Sequence, residues 1–219
     1  MHCLQVYDAA ACLAKYLDSD QFEAAHCCGG GGGGGGQGSG RRPLIGRRVV
    51  ELGAGTGVVG VMAGYLGASV VLTDLHSLVP LLDHNINRNS SLMTAGSVSA
   101  RPLCWGSEPD TDLLHPDFLI LANCVYYESS LETLLETVLT LTSAGRSETV
   151  ILACYEERTK EIRELVSRWH AMLDEYFTIH DVEPNVLDAK YMQQNYNIRI
   201  VRMLRRSRQQ ETDSFVGVL

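Results

Sequence analysis

Hydrophobic and polar positions change periodicity repeatedly along the chain, and these changes predict its secondary structure. Short apolar runs predict seven strands, and stretches with an apolar face at helical spacing lie between most of them. The predicted strands are residues 48–52, 68–73, 97–103, 118–122, 149–154, 177–182 and 197–204. Strands that alternate with helices form parallel sheets, and a hairpin-like return accounts for the final strand. The pattern therefore predicts an α/β fold with a doubly wound, seven-stranded, mostly parallel sheet and an antiparallel last strand.

Helices are predicted where apolar residues recur every three or four positions. An N-terminal helix with Tyr7, Leu13 and Leu17 on its apolar face should end near Asp18. The residues from Ser129 to Glu132 have capping-box spacing, so a helix is expected to begin there. The longest amphipathic stripe follows the fifth strand and comprises Ile162, Leu165, Val166, Trp169, Met172 and Tyr176.

A glycine-rich segment separates the first helix from the rest of this pattern. Residues 29–36 are eight consecutive glycines within residues 24–43. Polyglycine has no side chains to bury and loses the most backbone entropy on ordering, which favours a flexible insertion over a phosphate-binding loop. The predicted organisation is an N-terminal helix segment (1–23), this insertion (24–43), a core domain (44–206) and a polar tail (207–219).

The composition of the chain limits the classes of molecule that it is expected to bind and the compartment in which it is expected to function. Eighteen Lys and Arg against 26 Asp and Glu give a net charge of −8, which argues against nucleic acid or an anionic membrane as the main partner. Seven cysteines without a C-x-x-C pair favour a reducing compartment, the cytoplasm or the nucleus, and no metal site. No signal peptide or spanning segment is expected, and we expect a monomer.

The most informative motif is ELGAGTG, from Glu51 to Gly57, placed between the first strand and a helix. Glycines let the backbone turn sharply and approach a ligand, and the helix N-terminus presents free N–H groups. Gly55 to Gly60 also fits G-x-G-x-x-G, and Asp74 lies at a suitable distance to bind a ribose, so a dinucleotide remains an alternative. A carboxylate at Glu51 would repel a pyrophosphate and tolerate an amine and a sulfonium. The motif therefore favours S-adenosylmethionine.

The chain resembles the seven-β-strand protein-lysine methyltransferases, a group with a Rossmann-like class I methyltransferase fold. The resemblance covers residues 6–17 and nearly all of 44–204. It is carried by the runs VYDAAACLAKYL, ELGAGTGVVGVMAGYLGA, VVLTDL, LCWG, ANCVYYE and CYEERT. It implies an S-adenosylmethionine-dependent transfer of methyl groups to a lysine side chain of a protein, such as a valosin-containing-protein-like ATPase.

The resemblance also implies roles for individual residues. Gly53, Ala54 and Gly55 would hold the methionine part of the cofactor, and Asp74 would bind the ribose hydroxyls, with a helix N-cap as its alternative role. Trp105 would lie near the adenine or pack in the core. The remaining implied cofactor contacts are Tyr7, Glu51 and Asn123.

Asn123 and Tyr126 match the Asp-x-x-Tyr motif that positions the lysine amine in the family, with an amide in place of the carboxylate. Tyr126 or Tyr127 would line a lysine channel or simply pack. Two departures, Asn123 and the small number of residues before the aromatic–Asp–Ala segment, leave a second interpretation open. In that interpretation the chain is a catalytically weak, methyltransferase-like binding module or an inactive isoform.

Overall fold

A seven-stranded sheet organises the chain in this computed structural model, which describes residues 5–26, 43–143, 148–183, 190–191 and 197–206. The strands are β1 (Arg48–Leu52), β2 (Ser69–Asp74), β3 (Ser97–Pro102), β4 (Phe118–Ala122), β5 (Val150–Glu156), β6 (Phe177–Asp181) and β7 (Ile198–Arg205). Their order is β3-β2-β1-β4-β5-β7-β6. β7 runs antiparallel to both neighbours, and the other adjacent pairs are parallel. The predicted doubly wound sheet with an antiparallel last strand is confirmed.

Helices cover both faces of this sheet. They are α1 (Asp8–Leu17), α2 (Asp20–His26), α3 (Val58–Tyr65), α4 (Val79–Asn89), α5 (Leu131–Leu141) and α6 (Lys160–Leu173). On one face Leu13, Val59 and Leu82 join a buried cluster with the sheet. On the other face Leu134 and Trp169 belong to a second cluster. A parallel sheet buried on both sides needs strands that are apolar throughout, which explains why the central strands were readable from the sequence.

Two sequence predictions require correction. The helix expected to begin at a capping box starts instead at Leu131, after a single 3-10 turn over Glu128–Ser130, and its N-cap Ser130 makes no side-chain capping bond. Residues 24–26, assigned to the glycine-rich insertion, belong to α2, which Phe22 anchors in the core. The rest of the predicted insertion, except Pro43, and the polar tail from residue 207 lie outside the described residues.

The topology places a crevice at the carboxyl ends of the parallel strands. The chain leaves β1 through α3 towards β2 and later returns to β4 on the opposite side of β1. Ligands of doubly wound folds bind at such a reversal, beyond the carboxyl ends of the strands. Among the described residues, none of the helices combines the length and the apolar character needed to cross a bilayer.

Candidate functional site

A cavity of about 680 Å³ opens at the carboxyl ends of the parallel strands. Its volume is within the range typical of small-molecule sites. Most of the residues that the sequence singled out lie on its wall. They are Tyr7, Gly53, Ala54, Gly55, Asp74, Trp105, Asn123 and Tyr126. Residues far apart in the chain, such as Gly53 and Asn123, thus meet because both follow the carboxyl ends of parallel strands.

The glycine loop between β1 and α3 has the backbone that its sequence predicts. Gly53 has a φ of +58°, and a Cβ atom there would lie 3.0 Å from Trp105 Cζ2. Gly60, one turn into α3, has no room for a side chain, because a Cβ atom would lie 2.1 Å from Leu72 Cδ2. The first glycine therefore lets the indole approach the loop, and the second lets α3 pack closely on β2.

Asp74, the last residue of β2, is the carboxylate that the sequence predicted as the ribose ligand, and it lies on the cavity wall. Its Oδ2 accepts a hydrogen bond from Gly55 N at 2.8 Å, and its Oδ1 accepts one from Leu75 N at 2.7 Å. A carboxylate offers about four lone-pair sites, so both oxygens can still accept ribose hydroxyls. The alternative role as a helix N-cap is wrong, because Leu75 is the N-cap of the following 3-10 turn and no side chain caps it.

Glu51 does not lie on the cavity wall, in contrast to the direct cofactor contact expected for it. It is 1% exposed, and its Oε2 accepts a hydrogen bond from Gly60 N at 2.8 Å. Burial raises the pKa of Glu51 to about 8, the Gly60 hydrogen bond opposes this shift, and the Asp74 carboxylate adds to it. Glu51 therefore ties β1 to α3 behind the glycine loop and is mostly protonated at neutral pH.

Trp105 and Cys124 form the floor beside the loop. The Cys124 side chain is buried and its Sγ lies 3.2 Å from the Leu52 carbonyl oxygen. Burial raises the pKa of the Cys124 thiol, with Glu51 and Asp74 as further causes, so it stays a protonated, unreactive thiol. Trp105 packs against the core and also lines the cavity, and its position near an adenine stays a prediction.

Asn123 follows β4 in a left-handed backbone conformation, with a φ of +58°, which asparagine tolerates better than most residues. Its N–H donates to the Cys154 carbonyl at 2.8 Å. Its Oδ1 accepts a long hydrogen bond of 3.4 Å from Glu156 N. The side chain thus fastens the end of β4 to β5 while it faces the cavity.

The sequence reasoning missed a charged pair on the same wall. Glu156 ends β5, and its Oε2 accepts a hydrogen bond from Arg158 Nη2 at 2.5 Å. The Arg158 guanidinium lies 5.2 Å from the centre of the Tyr7 ring, a cation–π distance. The run CYEERT carried part of the family resemblance, but neither of its two glutamates was given a role. The predicted strand ended at residue 154, so no signal in the sequence placed Glu156 on this wall.

Two tyrosines stand at the mouth. Tyr126 and Tyr127 are 43% and 54% exposed and form an edge-to-face pair with ring centres 4.8 Å apart. Both line the cavity. Exposed aromatic rings next to a cavity offer an apolar surface for the methylene chain of a long side chain and an attractive face for a cation.

Comparisons with known proteins point to one family. A family model described as lysine methyltransferase matches residues 2–172. The zebrafish protein N-lysine methyltransferase METTL21A is 34% identical over 150 residues, 65% of this chain and 66% of that protein. The Xenopus tropicalis METTL21A is 31% identical over 205 residues, 94% of this chain and 79% of that protein. The chain spans between about half and four fifths of the length of the first relatives it matches.

The fold has many solved counterparts. A Thermus thermophilus 16S rRNA methyltransferase (RsmC), solved with AdoMet and guanosine, superposes with a TM-score of 0.55 at 15% identity, covering 94% of this chain and 45% of that one. At this identity the likeness concerns the fold alone, and it identifies the fold as that of Rossmann-like class I methyltransferases.

Proposed function

Because the chain belongs to the lysine methyltransferase family, we propose that it transfers methyl groups from S-adenosylmethionine to a lysine side chain of a protein. The observation that carries this proposal is the continuous cavity from Asp74, past the glycine loop, to Asn123 and Tyr126. One end offers a carboxylate to ribose hydroxyls. The other end offers an amide and aromatic faces to an amine.

The residues present fit S-adenosylmethionine better than a dinucleotide. The Gly55 N–H, which a pyrophosphate would need, already donates to the Asp74 carboxylate. A second anion placed there would face that carboxylate at short range. A cofactor with a positive sulfonium has no such conflict. The indole of Trp105 adds a flat apolar face for an adenine next to Gly53.

When bound, S-adenosylmethionine supplies a methyl group on a positive sulfur, so that the lysine nitrogen bonds to the methyl carbon as the carbon–sulfur bond breaks and sulfur keeps the electron pair. The protein contributes orientation, which accounts for most of the rate in such displacements. In our proposal Asp74 and the glycine loop fix the donor, and Asn123 and Tyr126 place the acceptor nitrogen in line.

A protein is the acceptor that best suits the cavity mouth. A lysine side chain can pass its methylenes along Tyr126 and Tyr127 and present its amine below them. The net charge of −8 disfavours an rRNA or DNA acceptor. The motifs of the chain resemble those of the valosin-containing-protein lysine methyltransferase, and we propose an ATPase of that class as the first substrate to test.

We also propose that the protein acts as a monomer in the cytoplasm or nucleus. Among the described residues, Cys104, Cys124 and Cys154 are free thiols, which supports a reducing compartment. The main competing function is a binding module that keeps the fold and the cofactor pocket without turnover. Asn123, in place of a carboxylate, is the feature that motivates it.

One experiment separates the two. The purified protein is incubated with labelled S-adenosylmethionine and an extract of cells that lack this protein. In parallel, calorimetry measures the binding of S-adenosylhomocysteine. A labelled protein band supports the enzyme. Binding of S-adenosylhomocysteine without any labelled band supports the binding module. The absence of both a labelled band and S-adenosylhomocysteine binding rejects the enzyme and the binding module alike.

A further inference from the structure

An acidic side chain lies where the acceptor end of the cavity needs one. The Glu156 side chain is only 9% exposed, yet it lines the cavity. Its backbone N–H is bonded to the Asn123 amide oxygen. The uncharged Asn123 and the acidic Glu156 are therefore direct neighbours.

The strand order fixes on which side of Asn123 this carboxylate lies. From one end of the cavity to the other, the wall is built by Asp74 on β2, the glycine loop after β1, Asn123 after β4 and Glu156 on β5. Adjacent strands are about 4.8 Å apart. Glu156 is thus one strand beyond Asn123 and three strands from Asp74, at the end away from the carboxylate proposed for the ribose.

Asn123 alone is a weak ligand for an ammonium group. Its Oδ1 is shared with Glu156 N, and its side-chain nitrogen is a donor, as is an ammonium. An ammonium entering a half-buried site loses water and requires a negative partner to compensate. Glu156 is the neighbouring group with that charge.

We propose that Glu156 binds the ammonium group of the incoming lysine and so supplies the carboxylate that position 123 lacks; this inference rests on the proposed function. The ammonium, held next to Asn123, then releases a proton to water and becomes the neutral nucleophile. Glu156 touches the substrate nitrogen, while Asn123 keeps the ends of β4 and β5 together.

Arg158 explains how this carboxylate is maintained before the lysine arrives. A buried carboxylate without a partner is costly, and Arg158 compensates the charge through Oε2. Within the described residues Oε1 has no hydrogen bond, so a lysine can bind there or replace the arginine. The Arg158 side chain is 48% exposed, so it can move aside into solvent while it stays near Tyr7.

The test uses two analogues of S-adenosylhomocysteine in which a nitrogen replaces the sulfur. One analogue carries an aminoethyl arm, whose ammonium lies where the lysine nitrogen would be, and the other carries an uncharged propyl arm. Calorimetry measures both, together with S-adenosylhomocysteine, on the wild type, Glu156→Gln and Glu157→Gln. Glu157 is the adjacent acidic residue outside the cavity wall, so its change is a matched control.

Glu156→Gln should weaken binding of the aminoethyl analogue at least about tenfold, the usual effect of losing a charged hydrogen-bond partner. Its affinity for the propyl analogue and S-adenosylhomocysteine, and all affinities of Glu157→Gln, should stay within about twofold. Equal loss for both analogues, or no loss, overturns the role of Glu156. A wild type that binds neither analogue nor S-adenosylhomocysteine overturns the proposed function itself, and this inference with it.

A charge relocation provides the second readout. Asn123→Asp combined with Glu156→Gln moves the carboxylate to the neighbouring strand end and should recover affinity for the aminoethyl analogue lost in Glu156→Gln. A purely structural Glu156 would not be rescued in this way. Failure of the double variant to regain that affinity, with S-adenosylhomocysteine binding intact, contradicts the proposal.

Discussion

At the scale of single residues, the acidic groups near the glycine loop have separate tasks. Asp74 is 8% exposed and lies on the cavity wall, where it also holds Gly55. Glu51 is buried behind the loop. The sequence indicated both Asp74 and Glu51 as cofactor ligands, because it shows only their spacing along the chain. Which of the two carboxylates faces the cavity depends on how α3 packs on the sheet.

Asp74→Asn should weaken binding of S-adenosylmethionine roughly tenfold, because one charge-assisted acceptor is lost and the amide nitrogen cannot accept a ribose hydroxyl. Calorimetry measures the change. Asp83→Asn on the exposed side of α4 removes the same charge away from the cavity and should leave the affinity unaltered. An unchanged affinity in Asp74→Asn would show that the ribose binds elsewhere.

Glu51 makes stability depend on pH. Its pKa is about 8 in the folded protein against an ordinary value of 4.5, so between these values the folded state holds a proton that the unfolded state has released. The contribution of Glu51 is complete below pH 4.5 and is lost as the pH rises towards 8. Glu51→Gln removes this dependence and keeps an acceptor for Gly60 N.

Urea unfolding at several pH values from 5 to 8 tests this. The wild type should lose stability relative to Glu51→Gln as the pH rises, by up to about 1.4 kcal/mol per pH unit. A constant difference between the two proteins across that range would mean that Glu51 is ionised throughout.

At the scale of elements, the sequence predicted the apolar strands well and the mixed segments poorly. β1 and β4 have the predicted bounds, because the β-branched pair Val49 and Val50 in β1 and the unbroken apolar run FLILA in β4 are clear strand signals. β5 extends two residues further than predicted, to Glu156. An acidic residue ends an apolar pattern, so the strand end that carries the cavity carboxylate could not be read from periodicity.

The short helix α2 was missed for a related reason. Its sequence DQFEAAH has one large apolar residue, Phe22, which is fully buried. The Phe22 ring lies 5.6 Å from Tyr16 and 5.7 Å from Phe118, centre to centre. Tertiary contacts, chiefly those of Phe22, therefore hold this helix, and its sequence has no amphipathic stripe that would predict it.

Phe22→Ala should lower the free energy of unfolding by about 3–5 kcal/mol, because it removes a buried ring and leaves a cavity. Urea unfolding followed by circular dichroism gives the value. Gln21→Ala, on the exposed side of the same helix, should change it by less than about 0.5 kcal/mol. Similar small effects for both variants would show that α2 is not docked through Phe22.

At the scale of the whole molecule, the sheet order turns separate motifs into one site. Each motif was visible in the sequence, but the neighbourhood of Asn123 and Glu156 depends on the parallel pairing of β4 with β5. The reversal at β1 then places the glycine loop between the ribose end and the acceptor end. A lysine methyltransferase needs this linear arrangement, because the donor sulfur, the methyl carbon and the acceptor nitrogen must lie in line.

The most direct test of this account is to find where the methyl group goes. Protein labelled by the wild type with S-adenosylmethionine is hydrolysed to amino acids, and the labelled product is identified by chromatography. The account predicts that the label appears as methylated lysine and that Asp74→Asn lowers its amount. Label in methylarginine or in a base-labile ester, or no protein label while S-adenosylhomocysteine still binds, would contradict it.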